Sequence, residues 1–230
     1  MNMPDIHRII RGVLLSASLP IIIGAAPVPS APEAVPVTNI VQPQTVDNTA
    51  NIARVEAYLS GLTTISADFS QISADGSLAS GKFYLRRPGK MRWQYATPSN
   101  VLLVSDGSTV VYYDPAVEQV SYVPVDDTMA SFLTRRDVRL ESPSIRLTKF
   151  ESSAGVIRAT LVQKRKPKEG GITLEFSDNP LTLQQLVVTD ANGQNTSVRL
   201  QNPQFGVKLD EALFVFIDPR GVLPKRGVKR

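Results

Sequence analysis

Along this chain the spacing of apolar positions changes once from a helical to a strand period, and that change predicts where the folded domain begins. Ile52, Val55, Leu59 and Leu62 recur at three- and four-residue spacing, the stripe of a helix with one face to bury. Asp47 or Asn48 stands where a cap belongs, and Gly61 lies near the end. After it the period becomes two. Ile65, Ala67 and Phe69 alternate with polar residues, then Phe83, Leu85 and Arg87 share one face of a strand, and Met91, Trp93 and Tyr95 share one face of the next.

Turn signals separate these segments: Ala74-Asp75-Gly76, Pro88-Gly89, and Asp106-Gly107 between strands at 101–104 and 110–113. The regularity breaks at Asp126-Asp127-Thr128, where cap-like residues precede Met129, Phe132 and Leu133 and predict a short helix with one apolar side. Strands resume at 144–150, 156–164, 172–176, 183–189 and 196–200, with Asp190-Ala191-Asn192-Gly193 as a hairpin signal. A last capped turn, Asp210 to Phe214, leads to an apolar end at Phe216 and Ile217. Ten or eleven strands with three short helices predict a mainly β (α+β) domain: one curved antiparallel sheet wrapped around helices, an incomplete barrel.

The flanks follow other rules. His7, Arg8 and Arg11 precede an apolar run from Val13 to Ile23 that ends in Gly24, Ala25 and Ala26, the pattern of an export signal over residues 1–26 with maturation between Gly24 and Ala34. The run is too short for a membrane span. Pro27, Pro29, Pro32, Pro36 and Pro43 mark 27–46 as an extended linker, so the folded domain is expected at 47–221. The basic end at 222–230, with Lys225, Arg226, Lys229 and Arg230, reads as a solvated tail.

Composition then removes whole classes of chemistry. The 230 residues contain no cysteine and one histidine, His7, which lies in the leader. Zinc sites with Cys or His ligands, Ser-His-Asp triads, cysteine nucleophiles and disulfides are therefore excluded for the mature chain, as is anchoring through its own acylated cysteine. The net charge of +4 is small and spread out, with no basic stripe interleaved with aromatics, so nucleic acid is not the expected partner. The carboxylates Asp106, Asp114, Glu118, Asp190 and Asp210 all fall at turns or caps, where such residues serve the backbone. No G-x-S-x-G, G-x-G-x-x-G or P-loop is present, and neither an enzyme nor a cofactor is expected.

What remains is a greasy concave face with an arginine on it. Phe83, Leu85, Met91, Trp93 and Tyr95 share that face, and Arg87 has the parity of Phe83 and Leu85 rather than that of Arg86, which is expected in solvent. A guanidinium facing an apolar interior must place its five donors. Backbone carbonyls of a covering helix would accept them; capping of the strand corner or pairing with a surface carboxylate is the alternative.

These residues carry a family resemblance. Gly81, Phe83, Arg87-Pro88, Arg92-Trp93 and Pro98, Ser105-Asp106-Gly107, Tyr113-Asp114-Pro115 with Glu118-Gln119-Val120, then Asp190, Gly193, Thr196, Leu200 and Asn202, and finally Leu209, Phe214 and Pro219 recur in the order found in the LolA-type periplasmic lipoprotein carriers. The chain resembles that family from about Ile52 to Gly221. The resemblance implies an incomplete barrel closed by helices, whose hydrophobic cavity accepts the acyl chains of lipoproteins. Cargo would come from an inner-membrane ABC-type release complex and go to an outer-membrane acceptor or the outer membrane itself, the carrier working as a monomer. It also implies that Arg87 latches the lid helix, with Met129, Phe132 and Leu133 on that lid. The apolar position two before the Trp, often aromatic in relatives, is Met91, whose pliable side chain suits variable acyl packing. A lipoprotein-sensing regulatory domain on the same half-barrel is the alternative; such sensors usually carry an anchor or second domain.

Overall fold

The computed structural model describes residues 48–221; the expected leader, linker and basic tail lie outside the described residues. Helix α1 (Thr49–Gly61) is followed by six strands, β1 (Thr64–Ile72), β2 (Leu78–Arg86), β3 (Lys90–Tyr95), β4 (Leu102–Asp106), β5 (Thr109–Asp114) and β6 (Gln119–Pro124). A 3-10 turn (Val125–Asp127) and a one-turn helix α2 (Ala130–Thr134) intervene. Five strands complete the sheet: β7 (Ile145–Ser153), β8 (Val156–Gln163), β9 (Gly170–Asp178), β10 (Leu181–Asp190) and β11 (Asn195–Phe205). A second 3-10 turn (Glu211–Phe214) lies near the end of the described chain.

All eleven strands form one sheet in the order β6-β5-β4-β3-β2-β1-β11-β10-β9-β8-β7. Every neighbouring pair is antiparallel, and the first and last strands meet at its centre, Phe69 opposite Leu200. Register shifts at Ser66/Asp68, Leu147/Lys149 and Leu183/Gln185 add local twist, which curls the sheet. The curl stops short of closure, because β6 and β7 remain the two edges. This is the incomplete barrel that alternation predicts.

Strand alternation sets the inside. On β1 the buried positions are Ile65, Ala67 and Phe69, and on β8 they are Ile157, Ala159 and Leu161. Val55 and Leu59 of α1 are fully buried against this face, and Tyr58 meets Phe176 edge-on at 6.0 Å while its hydroxyl oxygen accepts a bond from Leu183 N at 3.1 Å. After α2 the chain runs along α1. Val138 N donates to Ser60 Oγ at 3.0 Å and Leu140 N to Glu56 Oε1 at 2.8 Å, with both Val138 and Leu140 at 0% exposure.

The structure refines the sequence reading at three points. Strand β6 had no place in the pattern of ten segments: its positions are all half-buried or exposed, so no alternation shows, and it ends in Pro124, which an edge tolerates. Asn48 occupies the N-cap of α1 but its side chain makes no capping bond, and Asp47 lies outside the described residues. Before α2, Asp126 and Asp127 form the 3-10 turn, so the capping falls to Thr128, whose hydroxyl accepts from Ala130 N at 3.2 Å and donates to Val125 O at 2.9 Å. The last turn is capped as expected, Asp210 accepting from Ala212 N at 2.9 Å.

Candidate functional site

The corner between β2 and β3 holds both short helices. Arg87 follows the last residue of β2 on the inward parity, and its Nε donates to Leu133 O of α2 at 2.9 Å. Its Nη1 donates to Leu62 O at 3.1 Å and to Leu59 O, both at the end of α1. The last carbonyls of a helix have no partner within it and carry its negative dipole end, so one guanidinium satisfies the ends of two helices. Burial pulls the Arg87 pKa down to about 10, and among the described residues no carboxylate pairs with it. Of the alternatives open to this arginine, helix carbonyls take its donors.

The backbone of the corner joins in. Gly89 N donates to Thr134 O of α2 at 2.8 Å, and Gly89 O accepts from Ser105 Oγ at 2.8 Å. Gly89 has φ 84°, and a Cβ there would stand 2.6 Å from Gly107 Cα, so only glycine lets the two corners touch.

Beneath the corner lies the aromatic face. Phe83, Leu85, Met91 and Phe132 are buried, while Trp93, Tyr95, Met129 and Leu133 are partly buried and pack on the same cluster. All eight expected cavity and lid residues therefore meet between sheet and helices, Met129 from the residue preceding α2 and not from within it. Phe83 and Trp93 lie opposite each other with ring centres 4.2 Å apart, and Trp93 Nε1 donates to Met91 Sδ at 3.3 Å. Tyr95 donates to Gln71 Oε1 at 2.7 Å, and burial pushes its pKa up to about 12.

One member escaped the sequence reading. Phe69, which alternation places on a strand face but not among the candidate site residues, is the hub: its ring meets Trp93 and Tyr95, each at 5.0 Å and edge-on. Gly81 makes room for it, since a Cβ there would come within 2.8 Å of Phe69 Cε1 and 2.1 Å of Gln94 O. The signal was available in the glycine opposite Phe69, though only the register reveals it.

The outer face of the same corner was also misread. Arg86 points outward as parity requires but is not free in solvent: its side chain is 22% exposed, pairs with Glu211 and lies 5.1 Å over the Phe214 ring. Lys90 also pairs with Glu211, and Arg92 Nη1 donates to Leu213 O at 3.0 Å. Residues 206–217 thus form a strap across the outside of β2 and β3, with Phe214 at 2% exposure.

The turn and cap carboxylates serve the backbone. Asp106 Oδ1 accepts from Ser108 N, Ser108 Oγ and Thr109 N at 2.8–2.9 Å, Asp114 from Ala116 N at 2.9 Å, and Asp190 from Asn192 N and Gln194 N at 2.8 and 2.9 Å. Glu118 takes a positive φ of 49° in its turn. Among the described residues no group of three or more His, Cys, Asp or Glu side chains could hold a metal ion, and no helix is long and apolar enough to cross a membrane.

An open antiparallel sheet curled around two helices, with one half-buried arginine tying both helix ends over an aromatic face, defines a half-barrel of the carrier type. Residues 60–217 match the family model described as "Outer membrane lipoprotein carrier protein LolA", and the chain belongs to that family. It is 33% identical over 180 residues to the outer-membrane lipoprotein carrier protein of Azotobacter vinelandii, covering 74% of this chain and 86% of the relative. Its identity to the protein of the same name from Methylococcus capsulatus is 32% over 181 residues, 74% and 85% of the two chains. Among solved structures, an uncharacterized conserved protein from Thermus thermophilus aligns with a TM-score of 0.46 at 13% identity over 76% of this chain and 97% of its own.

Proposed function

We propose that this protein is a periplasmic, non-enzymatic carrier that shields the acyl chains of lipoproteins between its sheet and its helices. On this reading it carries them from the inner membrane to the outer membrane. The observation that carries the reading is the Arg87 latch: three helix carbonyls held by one guanidinium over a face of Phe69, Phe83, Trp93 and Tyr95. Family membership and relatives named outer-membrane lipoprotein carrier protein support it.

The energetics fit such a task. Each buried CH₂ is worth about 0.8 kcal/mol, so one long acyl chain exposed to water costs on the order of 10 kcal/mol. A carrier must hide that surface and still release it. Hydrogen bonds to a charged donor contribute about 1.5–3 kcal/mol each, so a latch of a few such bonds is weak enough for an entering chain to displace. On this reading Phe132 and Leu133 of α2, packed on the same cluster as the aromatics, hold the place that cargo would take. The refilling of that face by α2 then favours delivery. Residues 1–26 would direct export, an ATP-driven inner-membrane complex would supply cargo, and an outer-membrane acceptor or the membrane would receive it.

Mass spectrometry of the protein purified from its own periplasm tests the reading. Co-purifying acylated lipoprotein is expected, enriched in an Arg87→Leu variant that loads cargo and passes it on poorly. Recovery of free protein alone, in both forms, overturns it.

A further inference from the structure

The inner face changes character along β3. At the Lys90 end stands the latch; five residues on, roughly 17 Å away, Tyr95 begins a polar rim. Register makes a row of Phe83, Trp93, Leu103, Tyr112 and Ser121 across β2 to β6. One pleat beyond that row on the same face come Asp114 of β5 and its partner Gln119 of β6, and Gln71 reaches Tyr95 from β1. Apolar inner face thus gives way to two phenols, two carboxamides and a carboxylate at the end of the sheet away from the latch.

The groups at this rim are specific in what they offer. The Tyr95 O–H is spent on Gln71 at 2.7 Å, which leaves the oxygen lone pairs of Tyr95 as acceptors, and Gln71 is itself fixed by donating to Ser73 Oγ at 3.2 Å. The Tyr112 hydroxyl has no hydrogen-bond partner among the described residues and so keeps a donor in hand. The one charged side chain of the set is Asp114, an anion, with one oxygen bound to Ala116 N.

We propose that this rim is the subsite for the linkage region of the cargo, the uncharged ester and amide groups that join acyl chains to a lipoprotein's modified N-terminal residue. The inference rests on the carrier reading. Tyr112 donates to an ester or amide carbonyl, Tyr95 accepts from the amide N–H, and Gln71 is a positioning residue that orients Tyr95. Asp114 repels carboxylate and phosphate headgroups, so the rim sorts acylated peptide from fatty acid and phospholipid. The acyl chains then extend from the rim toward Trp93, Phe83 and the latch, and the polypeptide leaves on the solvent side.

Trp93 is the one tryptophan in the chain and lies between the two ends, so its fluorescence reports occupancy. The full chain is titrated with a synthetic S-diacylglyceryl-cysteinyl peptide and with a fatty alcohol and a fatty acid of the same chain length. The Tyr95→Phe, Tyr112→Phe double variant is expected to bind the lipopeptide about tenfold more weakly and the alcohol within twofold of the parent. Asp114→Asn is expected to raise fatty-acid affinity a few-fold. Tyr112→Phe alone, which removes no internal bond, is expected to cost the lipopeptide about threefold and guards against a folding defect in the double variant. An unchanged lipopeptide affinity in these Phe variants, or equal loss for lipopeptide and alcohol, overturns the inference alone. Failure of the parent to bind the lipopeptide overturns the carrier reading and the inference with it.

Discussion

Arg86 and Arg87 are chain neighbours that grip opposite sides of one sheet. Arg87 reaches inward to the carbonyls of Leu59, Leu62 and Leu133, and Arg86 reaches outward to Glu211 and the Phe214 ring. The strand pleat that separates them fixes their division of labour, so substituting one should disturb one side only.

Arg87→Leu takes the guanidinium donor from Leu59 O, Leu62 O and Leu133 O, of which Leu59 O keeps the backbone N–H of Leu62. Stability in urea is expected to fall by about 2–4 kcal/mol, and hydrogen exchange to quicken in α1 and α2 ahead of the sheet. Arg87→Lys, a point charge without the fork, should recover less than half of the loss. Equal quickening across β8 and β9 would show that the contact serves the whole fold rather than the helices.

Arg86→Ala should loosen the strap and spare the latch. Its partner Glu211 is 68% exposed, so the loss is expected to stay within about 1 kcal/mol and to shrink in high salt. Limited proteolysis between Leu209 and Phe216, with exchange in α2 unchanged, is the readout.

Gly81→Ala puts a methyl into Gln94 O and Phe69. The β2–β3 pair must shift and Phe69 must leave Trp93. A stability loss of about 2–3 kcal/mol is expected, together with a changed near-ultraviolet signal from Trp93; an unaltered Trp93 signal would count against Phe69 as the hub.

The tyrosines give a pH signature. Burial raises the Tyr95 and Tyr112 phenols to about 12 in the folded protein, above the ordinary tyrosine value of 10.0, so between those pH values the unfolded chain has released phenolic protons that the folded one retains. Stability is therefore full below pH 10 and falls as the pH rises toward 12. The Tyr95→Phe, Tyr112→Phe variant should show a flatter alkaline limb in denaturant titrations and should lose part of the parent's late-ionising tyrosine absorbance.

How much of this was legible without coordinates differs by residue. Alternation placed Phe83, Leu85, Met91, Trp93 and Tyr95 on one face and turned Arg87 inward, because a strand's period survives tertiary context wherever one side is buried. The partners of Arg87 were illegible in detail: Leu59 O, Leu62 O and Leu133 O are backbone atoms, which no side-chain pattern marks. Arg86 failed for another reason. Its direction was right, but the segment that covers it, 206–217, lies more than a hundred residues away in sequence, and nothing local records it. Phe69 belonged to the site rather than to plain core because of what stands opposite it, Gly81, and register is a property of two strands.

The two free edges, β6 and β7, are joined by the very residues that carry α2. A closed barrel has a fixed girth, set by strand number and shear, and can widen only by tearing a ladder of hydrogen bonds. Here the gap and its cover are one piece of chain. On the carrier reading, α2 swinging aside would let the two edges spread by untwisting, with every interstrand bond intact, and the space beneath would adjust to slender or bulky loads.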